Sequence, residues 1–219
     1  CIKTTGEEVI EQRDLASFSK IDIKDGFTVD IVQDSVDFVL MRGGKNILPK
    51  IATEVKGEVF YLSNENACNS VRSFKRELVV EVHTKNLQSI YTEGVGEIKS
   101  IDTLVFSFLE LEAFNAVGTV SLLLKVDSFS TIIHSGSLDL ELQGQANNAY
   151  LYNAGHGYFL CKDFEVNDVH VNHNSTGKVE VVSRKSIEVE NEGTVVVYYW
   201  GSPTEVVISN QHKNNVFGK

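Results

Sequence analysis

Apolar and polar positions alternate with a period of two through the first third of the chain. Ile21 and Ile23 alternate with Lys20, Asp22 and Lys24, and Phe27, Val29 and Ile31 with Thr28 and Asp30. Val36, Phe38 and Leu40 alternate about Asp37 in the same way. Successive side chains of a strand point to opposite faces, so this pattern predicts strands with one buried face and one wet face. Asp25-Gly26, between the first two, predicts a tight hairpin. Gly43-Gly44-Lys45-Asn46 interrupts the pattern, and one helical turn is expected around Pro49. Further strands are expected near Glu58–Leu62 and Glu77–Val82, with the polar stretch Ser63–Lys75 as a loop between them.

From about residue 92 the alternation is punctuated by a recurring phrase: a small or polar turn, a Gly, a mostly polar residue, then usually a β-branched one. It reads Glu93-Gly94-Val95-Gly96-Glu97-Ile98, Asn115-Ala116-Val117-Gly118-Thr119-Val120 and Ser135-Gly136-Ser137-Leu138-Asp139-Leu140. It continues as Ala154-Gly155-His156-Gly157-Tyr158-Phe159, Asn174-Ser175-Thr176-Gly177-Lys178-Val179 and Glu190-Asn191-Glu192-Gly193-Thr194-Val195. The steps between successive phrases are 22, 20, 19, 20 and 16 residues. A period in this range predicts a solenoid, in which each coil buries its apolar face against its neighbours. The organisation expected is a tether over residues 1–14, an N-terminal β-rich portion over 15–90, and a β-solenoid over 91–219.

Composition supports strands throughout. Val, Ile, Thr, Phe and Tyr dominate the apolar positions, and Pro occurs only at 49 and 203. The chain carries 30 acidic and 20 basic residues, a net charge of −10. That balance opposes nucleic-acid binding, which needs a basic footprint. No apolar run reaches the length of a membrane-spanning helix, so membrane attachment is expected only through a lipid. Cys1, as first residue, has the character of a bacterial lipoprotein's acylated cysteine, and it is the expected lipid anchor. Cys161 lies in the apolar run Tyr158-Phe159-Leu160-Cys161 and is expected to be a buried thiol rather than a partner of Cys68.

Gly94-Val95-Gly96-Glu97-Ile98 and Ser135-Gly136-Ser137-Leu138-Asp139-Leu140 resemble degenerate copies of the Ser-Gly-Ser-Gly-Asp-[Ile/Val] repeat of the DUF2807 family, the adhesin head GIN domain. Asp25-Gly26-Phe27-Thr28-Val29-Asp30-Ile31, Asn46-Ile47-Leu48-Pro49-Lys50-Ile51 and Tyr198-Tyr199-Trp200-Gly201-Ser202-Pro203 fit the same family pattern. The resemblance spans about residues 15–219. It implies an all-β, right-handed, single-stranded parallel β-helix-like solenoid in envelope proteins, commonly lipoproteins, of Bacteroidetes-type bacteria, with adhesion as the associated role. It carries over no catalytic residue. Leu138 stands where the repeat has its second Gly, and Thr119, Tyr158, Lys178 and Thr194 where it has Asp, which weakens any shared ion site along the turns.

Candidate chemistry adds little. Asp102, Asp127, Asp139, Asp163 and Asp168 fall mostly one per coil, and the carboxylate pair that glycoside hydrolysis needs is not evident. No Gly-x-Ser-x-Gly elbow occurs. The histidines are read as turn residues; His170 and His173, three apart, belong on opposite faces of a strand. No metal or cofactor is expected. Asn residues recur beside the turns, as in hydrogen-bonded ladders along a stack. The candidate ligand-binding residues are aromatic: Tyr150 and Tyr152 on one strand face, Tyr198 and Trp200 on another, with Trp200 foremost.

The resulting expectation is a non-enzymatic cell-envelope lipoprotein, periplasmic or surface-exposed at the outer membrane. Its solenoid surface would serve adhesion or scaffolding against a polymer, glycan or protein. A polysaccharide-active enzyme or carbohydrate-binding module is the alternative. A lipid- or small-molecule-binding protein is a third, and would need an apolar cavity. Homo-oligomerisation through solenoid faces or ends is left open.

Overall fold

The computed structural model describes residues 5–66, 78–209 and 215–219. It is a β-solenoid of about six turns, 72% strand. The strands are β1 (Glu8–Asp14), β2 (Lys20–Lys24), β3 (Thr28–Gln33), β4 (Phe38–Gly44), β5 (Ile51–Lys56), β6 (Val59–Asn64), β7 (Val79–Thr84) and β8 (Ser89–Ser100). They continue as β9 (Leu104–Ile133), β10 (Gly136–Asn153), β11 (Phe159–His173), β12 (Val179–Asn191), β13 (Val197–Trp200), β14 (Glu205–Ser209) and β15 (Val216–Gly218). A 3₁₀ turn, Leu48–Lys50, falls at the expected Pro49.

The strands from β8 onward pair in parallel with the next coil, so equivalent residues form columns. One column runs Val29, Ile98, Val120, Leu140, Phe159, Val179, Val197 and Val216. Every member is buried. Because alternation sends one residue in two inward, stacking turns a run of marginal amphipathic strands into one continuous core. The repeated phrases form the corners. Gly96, Gly118 and Leu138 follow one another in register, and Gly157 and Gly177 extend the column, each lying against the carbonyl of the residue one coil earlier.

Three expectations are corrected. Asp25-Gly26 does not close a hairpin. β2 and β3 each pair in parallel with β8, at residues 89–93 and 97–100, so Asp25-Gly26 is a coil corner lying over Gly94 and Val95. The same pairings carry the stack across the boundary drawn at residue 90, since β2 and β3 form its first rung. Within the expected tether, Glu8–Asp14 is a strand, because Val9 to Arg13 find antiparallel partners on β4. The strands between β3 and β8 cover the first rung. β7 pairs with β3 and β6 with β2, both in parallel; β4 and β1 then extend the β7 side antiparallel, and β5 the β6 side.

Cys161 is a buried free thiol, and burial pushes its pKa far up, so it is unreactive in the folded chain. Cys1, Cys68 and most of the stretch expected as a loop, residues 67–75, lie outside the described residues. Among the described residues, no helix is long and apolar enough to cross a membrane.

Candidate functional site

One arm of each late coil presents an ordered outer face. Residues 148–153 of β10, 168–173 of β11, 186–191 of β12 and 205–209 of β14 stack in register. Ala149, Leu151, Val169, Val171, Ile187 and Val189 point inward and are buried. Alternation therefore sends their neighbours outward in three columns. The first is Ser128, Asn148, Asp168, Ser186 and Glu205; the second is Ser130, Tyr150, His170, Glu188 and Val207; the third is Ile132, Tyr152, Asn172, Glu190 and Ser209.

These columns bond along the stack. Ser186 Oγ donates to Asp168 Oδ1 at 2.6 Å, and Asn172 Nδ2 to Glu190 Oε2 at 2.7 Å. The Tyr150 ring meets the His170 ring edge-on, centroids 5.1 Å apart. Burial, then the charge of Glu190, raises the pKa of the Tyr150 hydroxyl. A groove of about 500 Å³ runs across this face, lined among others by Phe108, Tyr150, Asp168, His170, Glu188 and Val207. A second groove of about 500 Å³ lies over the adjoining corner. Here Asn167 donates to Asn147 at 3.0 Å and Asn147 to Asp127 at 3.3 Å, an amide ladder away from the turn asparagines, which bond instead to Ser135 (Asn115), to Glu190 (Asn172) and to backbone groups (Asn153 and Asn191). Arg184 closes the row on Glu165 at 2.6 Å.

The four aromatic candidates do not form one site. Tyr150 and Tyr152 lie on the grooved face. Tyr198 and Trp200 stack on a different arm, over Glu180 and Val182. Their rings are 6.0 Å apart and already engaged: Lys162 Nζ lies 4.6 Å over Trp200, and Lys219 Nζ lies 5.1 Å over Tyr198. A cluster also escapes the reading of the sequence. His170, Glu188 and Glu190 bring three ligand-type atoms within 4.8 Å of one another. The period hides it, because the step from His170 to its in-register neighbour Glu188 is 18 residues rather than 20.

The family profile for "Putative auto-transporter adhesin, head GIN domain" (DUF2807) matches residues 17–203. The chain belongs to this family. A solved structure, a putative adhesin from Bacteroides fragilis NCTC 9343, superposes with a TM-score of 0.87 at 23% identity, covering 97% of this chain and 95% of that one. A putative lipid binding protein from Parabacteroides distasonis ATCC 8503 superposes at 0.67 with 14% identity, over 98% and 97% of the two chains. A putative adhesin from Parabacteroides merdae ATCC 43184 superposes at 0.64 with 15% identity, over 100% and 96%. At these identities the likeness is one of fold: this DUF2807 member and its structural relatives share a solenoid across nearly their whole lengths. No curated protein sequence matches the chain.

Proposed function

We propose that this DUF2807 chain is the head of an envelope adhesin, a non-enzymatic surface that holds a polymer, glycan or protein against the grooved face of its late coils. The observation that carries the reading is the in-register outer face itself. Tyr150 and Tyr152 stand on the face of a groove along which Ser128, Asn148, Asp168 and Ser186 follow one another in register, with Ser186 bonded to Asp168, which is the aromatic-plus-polar composition that recognises a polar polymer. Support for binding rather than catalysis comes from what the acidic residues do. Asp127 accepts from Asn147, Asp168 from the Ser186 hydroxyl and Asp139 from the Tyr158 N–H, and Arg184 is paired with Glu165.

The test is a glycan and host-matrix binding array with the intact protein. Tyr150→Ala combined with Tyr152→Ala is expected to weaken any captured ligand about tenfold or more, the loss of an aromatic anchor. Trp200→Ala, on the other arm, is expected to leave it unchanged. A ligand that tracks Trp200 instead, or turnover of an arrayed polymer, would overturn the reading.

Envelope placement belongs with this proposal, and an acyl group on Cys1 is its finer part. Metabolic labelling of the whole protein with an alkyne-tagged fatty acid is expected to mark the wild type and to miss Cys1→Ser. Label retained in that variant would remove the anchor from the proposal.

A further inference from the structure

We propose that His170, Glu188 and Glu190 form a binding site for a divalent transition cation, best matched by Zn²⁺. The three residues come from two consecutive coils. His170 and Glu188 are in-register partners across β11 and β12, and Glu190 is two residues along the same outer face. Their ligand-type atoms all lie within 4.8 Å of one another.

The decisive atom is His170 Nε2. It is shielded from solvent and has no hydrogen-bond partner. Its nearest carboxylate oxygen, Glu190 Oε1, is 3.5 Å away. That is too long for a good N–H···O bond. It matches instead the roughly 3.3 Å that separates two ligands sharing a tetrahedral ion with bonds of about 2.0–2.1 Å. Glu190 is already oriented toward such an ion. Asn172 Nδ2 donates to its Oε2 at 2.7 Å, which leaves Oε1 turned toward the imidazole. Outer bonds of this kind orient the ligands of metal sites. Tyr150 packs edge-on against the His170 ring and limits its rotation. Glu188 is exposed and free to swing onto an arriving ion.

Other histidines of the chain show what a satisfied imidazole looks like. His83 bonds to Asp34 at 2.8 Å through Nδ1 and to Glu81 at 2.6 Å through Nε2, so both nitrogens are taken. His134 bonds directly to Glu112 at 2.8 Å. Only at His170, among these three, do carboxylates surround a nitrogen without closing on it. One imidazole with two carboxylates favours a borderline ion such as Zn²⁺ over Ca²⁺, which takes six or more oxygen ligands. Three protein ligands leave a fourth position for water or for an acidic group brought by another molecule.

The inference is independent of the adhesion reading, and its test uses the metal alone. Titration calorimetry of the intact protein with Zn²⁺ is expected to show one saturable equivalent. His170→Gln and Glu190→Gln are each expected to weaken it at least tenfold, while Glu165→Gln, on the other groove, leaves it unchanged. Co²⁺ in place of Zn²⁺ is expected to give visible absorption bands of low-coordinate cobalt that vanish in His170→Gln. Circular dichroism establishes that each variant retains the wild-type strand signal. No saturable binding, Ca²⁺ binding as strong as Zn²⁺, or binding indifferent to both substitutions would each overturn the proposal.

Discussion

Gly118→Ala is expected to lower the stability of the chain by more than about 4 kcal/mol, a shift of roughly 8–16 °C in Tm for a domain of this size, or to prevent folding. Gly118 follows Gly96 and precedes Leu138 in a corner column. Its φ is +132°, a conformation that residues with a side chain rarely adopt. A Cβ there would fall inside the carbonyl oxygen of Gly96 and 2.9 Å from its carbonyl carbon. Neither atom can give way, because both belong to the backbone of the coil below. Relief would require the two coils to part, yet their spacing of about 4.8 Å is set by the hydrogen bonds that make the stack. A solenoid draws its stability from neighbouring interfaces, so damage at one corner undoes the contacts of two coils at once. Gly57 supplies the comparison: its φ is also positive, +61°, but nothing lies within 4 Å of the added methyl. Gly57→Ala is therefore expected to cost only about 1–2 kcal/mol. Thermal melts of the two variants side by side decide the matter, and equal shifts would mean that corner packing does not hold the coils in place.

The columns were legible because two signals coincide, alternation within a strand and a phrase that recurs between strands. Five of the six phrases align in space as their spacing predicts. The sixth does not. Gly193 lies against the carbonyl of Ser175, in the column of Gly136 and Gly155, so it is two residues out of line with Gly177. Pairing between β11 and β12 drops from a 20-residue offset at Leu160 to 17 at Glu165 and 18 at Asp168. A shortened corner leaves no mark in composition, and the eye aligns glycine with glycine. The same shortening concealed the cation cluster, since His170 meets Glu188 only once the step is known to be 18. Asp25-Gly26 misled for a different reason. A two-residue turn between alternating strands reads as a hairpin locally, and only the long-range pairing of both flanking strands with β8 makes it a corner. The aromatic candidates are legible by type, but the arm each occupies depends on register: Tyr150 and Tyr152 fall on the grooved face, and Tyr198 and Trp200 on another, where Lys162 lies over the Trp200 ring.

His173→Asn is expected to make the chain markedly more resistant to acid. The inward column of the grooved arm ends in Ile133, Asn153, His173 and Asn191, and the last three are buried polar residues. Asparagine suits the place. Asn153 Oδ1 accepts the Gly155 N–H at 3.0 Å while its Nδ2 donates to the Gly157 carbonyl at 3.1 Å, and Asn191 Nδ2 donates to the Val195 carbonyl at 3.2 Å. His173 occupies the same slot without a well-formed bond from either ring nitrogen. Burial lowers its pKa to about 4, only partly opposed by the backbone of Gly177. In the unfolded chain the imidazole titrates near its ordinary value of about 6.5. Between these two values the unfolded state binds a proton that the folded state refuses, so stability falls as pH falls. The contribution is fully present above pH ~6.5. It is lost at about 1.4 kcal/mol per pH unit down to pH ~4, about 3 kcal/mol in all. His173→Asn removes that proton and restores the two-bond pattern of Asn153. Urea unfolding at pH 7 is expected to place the variant within about 1 kcal/mol of the wild type, and at pH 4.5 clearly above it. A variant whose midpoint falls with pH as steeply as the wild type's would show that His173 takes up its proton equally in the folded and unfolded chain, and would put the acid sensitivity on other groups instead.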